Sequence, residues 1–119
     1  GVFEEASMEG MVDPLKKKYM DQQSGQWRVI DDIKSMINFS TCNLLEDFED
    51  KGHFDLIICL DVLLYFSVPV KAQLLESFST LLDPSGILIA GMTEPVLPLN
   101  SNFDMVRHED GIFYRQKTD

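Results

Sequence analysis

From Phe54 to Phe66 the chain reads FDLIICLDVLLYF, a dense apolar run whose only charges are Asp55 and Asp61. An apolar stretch without alternation is the pattern of a strand covered on both faces, as in a parallel α/β sheet. The strand is predicted from Phe54 to about Leu60. Downstream, Leu74, Leu75, Phe78, Leu81 and Leu82 recur at i, i+1, i+4, i+7 and i+8. That spacing makes one apolar helix face, laid on the sheet. Ser67 suits the N-cap of this helix, and Pro69 is tolerated in its first turn. Asp83-Pro84-Ser85-Gly86 predicts a turn that stops it. Ile87 to Ala90 is a second short buried strand ending at Gly91, and Pro95 and Pro98 break regularity beyond it. Phe103–Arg107 and Ile112–Gln116 read as an antiparallel hairpin around Glu109-Asp110-Gly111.

The first third is less regular. Asp13 as N-cap and Pro14 as first helical residue predict a helix carrying LKKKYM and ending near Gln22-Gln23-Ser24-Gly25. Trp27–Ile33 and Met36–Asn43 are expected to be strands joined near Lys34-Ser35, followed by an acidic connection to Gly52. The order is helix, two strands, strand, helix, strand, hairpin. Two buried strands joined through a helix imply a right-handed parallel crossover, and the added hairpin makes the sheet mixed. There is no internal repeat.

Composition narrows the possibilities. A length of 119 residues suits one domain, 1–119, with a modest core. The net charge of −10 argues against sequence-independent binding to nucleic acid or to an anionic membrane. Lys16, Lys17 and Lys18 fall late in a short helix, where they complement its dipole. No apolar run reaches membrane-spanning length, and the lack of a secretory signal points to the cytoplasm. Cys42 and Cys59 both lie in strand-like segments and are expected to be buried free thiols. His53 and His108 have no ligand partners at metal spacing, so no metal is expected. The seven glycines form neither GxGxxG nor a P-loop. Ser77 and Ser79 lie inside the helix without a nearby base.

Ligands of parallel α/β sheets bind beyond the carboxyl ends of the strands. Three places meet that rule: Asn43-Leu44, Leu60-Asp61 and Gly91-Met92-Thr93-Glu94. Asn43 has an amide suited to a purine edge or an amino-acid group, or it caps the turn into Leu45-Glu46. Asp61 accepts hydrogen bonds from a ligand, or caps the segment leading to Tyr65. Tyr65 presents its phenol to a substrate carboxylate, or its ring is core beside Phe66. Glu94 is a functional carboxylate or a solvated loop charge.

Taken in order, the segments resemble the C-terminal half of the CheR-type chemotaxis receptor methyltransferases. Gly1-Val2-Phe3 resembles the family's "GxY", and LKKKYM its "L..YF" helix. NFSTCNLL resembles "V.F...NLL", and FDLIICLDVLLYF resembles "FD.IFCRNVLIYF". LLDPSGILIAGMTE resembles "L.PGG.L.LG.SE", and GIFYRQK the closing "g..YR". The resemblance implies the C-terminal half of an S-adenosylmethionine-dependent, Rossmann-like α/β methyltransferase fold. It implies methyl transfer from S-adenosylmethionine to glutamate side chains of receptors or signalling proteins. By it, Asn43 and Leu44 lie beside the adenine, Leu60 and Asp61 close the cofactor pocket, and Tyr65 faces the reactive methyl as the catalytic residue. Such transfer to an ionised carboxylate needs positioning and shielding from water more than a strong base.

Two departures stand out. Where the family reads "CRN", this chain has Cys59-Leu60-Asp61, losing a cation and gaining a negative charge that repels an incoming glutamate. The family's glycine-containing cofactor loop, its acidic ribose-binding residue and its basic docking helices belong to an N-terminal portion without counterpart here. The chain is thus expected to be a fragment or a shortened relative, weak in cofactor binding and inactive alone. The alternative is a degenerate, non-catalytic copy of the fold that binds a signalling partner. The missing strand next to Phe54–Leu60 leads us to expect MINFSTCN to close onto LIICL, with homodimerisation, or pairing with a separate N-terminal half.

Overall fold

A computed structural model describes residues 1–46, 51–91, 96–109 and 111–117. The chain forms two compact units, Gly1–Thr41 and Cys42–Asp119.

The first unit holds β1 (Val2–Phe3), a 3-10 turn (Glu5–Met8), α1 (Asp13–Tyr19), β2 (Met20–Gln23), β3 (Gln26–Val29) and α2 (Asp31–Ser35). Its three strands make an antiparallel sheet in the order β1-β3-β2. Asp13 is the first helical residue rather than the cap, a position that Val12 fills. Its carboxylate still opposes the dipole of α1 from the first turn. The helix stops at Tyr19, earlier than expected, because Met20 turns extended and is buried. Residues Met20–Gln23 instead form a strand, and Ser24 (φ 52°) and Gly25 (φ 77°) turn it back into β3. Positive φ at both residues of a two-residue loop matches the right-handed twist of the strands it joins.

Two strand expectations fail here. Trp27–Ile33 is strand only to Val29, and Asp31–Ser35 is a short helix. Asp31 and Asp32 open that helix and Lys34 closes it, a charge order that favours helix over strand. Residues 36–43 form no strand, and Met36 (80% exposed) and Phe39 (89%) face solvent. A strand without a neighbour buries nothing to offset its ordering. Among the described residues none pairs with this segment. Cys42 is therefore exposed, not buried, while Cys59 is buried as expected; both are free thiols.

A polar staple ties the unit together. Glu5 accepts from Lys16 Nζ (2.7 Å) and Trp27 Nε1 (2.5 Å), and Lys16 lies over the Trp27 ring at 4.3 Å. The bond from Lys16, then that from Trp27, holds the Glu5 carboxyl below the usual range. Lys34 does the same to Asp31. A carboxyl lowered on folding stabilises above its unfolded pKa and loses that contribution as pH falls through the folded value. Thermal melts followed by Trp27 fluorescence should thus decline on the acid side. Glu5→Gln should shallow that decline, Asp31 accounting for part of what is left; an unchanged profile would discount the staple.

The second unit holds β4 (Phe54–Cys59), a 3-10 turn (Leu63–Tyr65), α3 (Val68–Leu81), β5 (Leu82–Ala90), β6 (Phe103–His108) and β7 (Gly111–Gln116). The sheet order is β4-β5-β7-β6, with β4 and β5 parallel and the other pairs antiparallel. This is the expected strand–helix–strand crossover with its hairpin. Leu74, Leu75, Phe78 and Leu81 of α3 meet Cys59, Leu88, Phe103 and Tyr114 in one core cluster. Ser67 holds the N-cap with extended backbone and Pro69 the first turn, although the Ser67 hydroxyl makes no cap bond.

Asp83–Gly86 departs from its reading as a turn. The helix passes into β5 directly at Leu82, and these residues form a bulge within the strand. The register jumps from Phe54↔Leu82 to Leu56↔Ile87. A Cβ on Gly86 would sit 2.9 Å from the Phe54 carbonyl oxygen and 3.0 Å from that of Asp83, so only glycine fits.

Nor is β4 covered on both faces. Cys59 is buried and Ile57 half-buried toward the core, whereas Leu56 (45%) and Ile58 (60%) are exposed. Successive residues alternate faces, and the described residues of this unit place a helix on one face only. Among the described residues β4 is at the sheet edge, and MINFSTCN forms no strand that could close onto it. Among the described residues no helix is long and apolar enough to cross a membrane.

Candidate functional site

The ends of β4 and β5 define the site. Cys59 pairs with Ala90 in parallel register, so Leu60-Asp61 and Gly91 leave the sheet at the same carboxyl end. Asp61 has φ 57°, a left-handed conformation that Asp tolerates better than most residues. The reversal sends the chain out of the strand into the turn at Leu63–Tyr65. That turn is closed by Tyr65 N–H donating to the Val62 carbonyl (3.3 Å) and Phe66 N–H to that of Leu63 (3.1 Å). Leu63, 2% exposed, anchors it in the core. Phe66 packs half-buried on the core, and Tyr65 stands out at 80% exposure. Of the two roles open to Tyr65, its ring is therefore not core.

Leu60 is exposed at 51%. Asn43 is engaged locally: its Oδ1 accepts from Leu45 N–H (3.1 Å) and its Nδ2 donates to Glu46 (3.0 Å). Glu46 N–H also donates to the Asn43 carbonyl (3.1 Å). This is the capping arrangement that Asn favours in turns. It sets Leu44 half-buried against the same core cluster that carries Val62 and Phe66. Leu44, Val62 and Phe66 thus link the Asn43 turn and the Leu60–Tyr65 corner to one support. Met92, Thr93 and Glu94 lie outside the described residues.

The corner offers apolar surface from Leu60, a carboxylate from Asp61 and an outward phenol from Tyr65. Among the described residues no group of three or more His, Cys, Asp or Glu could hold a metal. A polar network joins α3 to the hairpin. Glu76 accepts from Asn100 Nδ2 (2.9 Å) and Asn102 Nδ2 (2.8 Å), and Gln116 donates to the Ser79 carbonyl. It pins the approach to β6 onto α3. Its members are 24 and 26 residues apart, with no local pattern to announce them.

Comparison with known proteins follows the same lines. The family model described as CheR methyltransferase, SAM binding domain, matches residues 1–112. A chemotaxis protein methyltransferase of Vibrio anguillarum is 33% identical over 119 residues, covering 98% of this chain and 43% of the relative. Chemotaxis protein methyltransferase 1 of Pseudomonas aeruginosa is 36% identical over 102 residues, 85% of this chain and 37% of the relative. A probable chemotaxis protein methyltransferase of Rhizobium etli is 30% identical over 100 residues, 81% and 37% respectively. The chain thus spans less than half the length of these relatives.

Proposed function

Since the chain belongs to the CheR methyltransferase family, whose cofactor is S-adenosylmethionine, we propose that it forms one wall of a methyl-transfer site acting on protein glutamate carboxylates. The Rossmann-like mixed sheet fits that family. The observation that carries the reading is the corner after β4, where left-handed Asp61 projects Tyr65 into solvent at the carboxyl end of the sheet.

The residues fit part of the cofactor. Leu44 and Leu60 supply apolar surface for a flat ring, and Asn43 supplies an amide that now bonds Glu46. When bound, the cofactor supplies an electrophilic methyl group on a sulfonium. The chain's own task is positioning. In this reading the Tyr65 hydroxyl donates to the acceptor carboxylate and fixes the direction of its attacking oxygen, with no proton to remove. Asp61 works against an acidic acceptor. Two like charges 4 Å apart repel by about 1 kcal/mol in water and about 4 kcal/mol near a protein surface. The residues that would enclose the far side of the cofactor have no match in this chain, so we read it as inactive by itself.

A second reading, a non-catalytic module that binds a signalling partner, is favoured by one feature. Leu60, 51% exposed, stands where the family pattern "CRN" has a cation suited to hold the cofactor or the acceptor carboxylate.

A chimera separates the two. This chain would replace the matching segment of the Vibrio anguillarum relative, and labelled S-adenosylmethionine would report base-labile methyl on acceptor protein. The enzyme reading expects methyl esters, with Leu60→Arg raising the yield. A chimera that folds and binds cofactor but forms no base-labile product would establish the non-catalytic reading.

A further inference from the structure

The turn at Asn43 fixes a carboxylate beside an amide. Asn43 Oδ1 accepts from Leu45 N–H (3.1 Å), and Asn43 Nδ2 donates to Glu46 Oε1 (3.0 Å). Glu46 N–H donates back to the Asn43 carbonyl (3.1 Å). Both side chains stay exposed. An asparagine amide commonly meets adenine at two points, its oxygen accepting from the 6-amino group and its nitrogen donating to a ring nitrogen. In this turn the Asn43 oxygen already holds Leu45 N–H. Asn43 keeps one amide hydrogen to offer, because only the other is given to Glu46. The acceptor next to that hydrogen is Glu46 Oε2, which accepts from none of the described residues. The donor–acceptor pair of a lone asparagine is thus rebuilt from two side chains.

We infer that Glu46 and Asn43 together read the adenine edge of the cofactor, Asn43 Nδ2 donating to a ring nitrogen and the Glu46 carboxylate accepting from the 6-amino group. The inference rests on the methyl-transfer reading, which sets Asn43 beside the adenine. Leu44, half-buried on the core cluster, supplies apolar surface to the ring face, and the polar pair supplies the edge. The pair is selective by chemistry. Hypoxanthine carries a 6-oxo oxygen where adenine carries the amino group, so two acceptors would face each other at Glu46 and the carboxylate would go unmatched. A Glu46 that only capped the turn would show no preference between the two bases. Removing its side chain leaves the Asn43–Leu45 bond in place, so the turn itself does not depend on it.

Titrating the isotopically labelled chain with S-adenosylhomocysteine and with its hypoxanthine counterpart, S-inosylhomocysteine, tests it. The adenine form should bind about 3- to 10-fold more tightly, the net contribution of one hydrogen bond. Glu46→Ala should erase that preference by weakening the adenine form, while the amides of Leu60 and Asp61 still shift. Glu46→Gln can turn an amide nitrogen toward the 6-oxo group, so it should bind the hypoxanthine form more tightly than the wild type does. Equal binding of the two forms by the wild type overturns the inference. So does an equal loss for both forms in Glu46→Ala, the mark of a cap alone. Saturable shifts at Leu60 and Asp61 with residues 43–46 unmoved overturn it and leave the pocket standing. No saturable shift with either form overturns the pocket and the inference together.

Discussion

Phe103→Ala should destabilise the second unit by about 3–5 kcal/mol, the usual cost of truncating a buried aromatic. Phe103 opens β6 and is 0% exposed within a cluster that includes Leu75, Leu88 and Val96. Few packed layers stand behind it, because the described residues cover the sheet on one face. Small domains hold about 5–15 kcal/mol in all, so this loss should take a large share of the unit's stability. Urea titration of wild type and variant measures it. A change under about 1.5 kcal/mol would mean that the site collapses around the void and that the cluster is not the main support of the sheet.

Tyr65→Phe should separate function from stability in the opposite way. The substitution removes one hydroxyl and keeps the ring. Tyr65 is 80% exposed, so the melting temperature should not move. In the chimera its hydroxyl is read as donating to a charged carboxylate. Such a bond contributes about 1.5–3 kcal/mol, or roughly a 10- to 150-fold loss of turnover when removed. Steady-state rates with an acceptor protein decide it. Unchanged turnover would remove Tyr65 from the site.

The parts of the fold legible in the sequence were those fixed by local pattern. The spacing of Leu74, Leu75, Phe78 and Leu81 marked the face of α3, and all four are buried. The hairpin at Phe103–His108 and Gly111–Gln116 followed from turn residues between apolar runs. What escaped depended on neighbours. Met36–Asn43 has the composition of a strand, but pairing makes a strand and none of the described residues pairs with it. Phe54–Cys59 reads as doubly buried, yet Leu56 and Ile58 are exposed because one face of the sheet is uncovered. Ser24-Gly25 looked like a helix stop, because a two-residue hairpin and a helix end call on the same residues. Asp83–Gly86 looked like a turn, because a bulge uses turn chemistry within a strand. At the candidate corner, the expected end of the strand near Leu60 agrees with β4 ending at Cys59, and left-handed backbone at Asp61 follows. The sequence left open that Asn43 spends its amide on Leu45 and Glu46.

The central claim, that Asn43, Leu44, Leu60 and Asp61 form one wall of a cofactor pocket, is tested most directly by titrating the isotopically labelled chain with S-adenosylhomocysteine. Amide resonances report both where the ligand binds and how tightly. A single wall leaves little surplus over the cost of ordering the ligand. The account predicts saturable shifts at those four residues, with a dissociation constant in roughly the millimolar range, about −4 kcal/mol. Saturable shifts elsewhere, or none at all, would contradict the pocket, and a low-micromolar constant would contradict its being half-built.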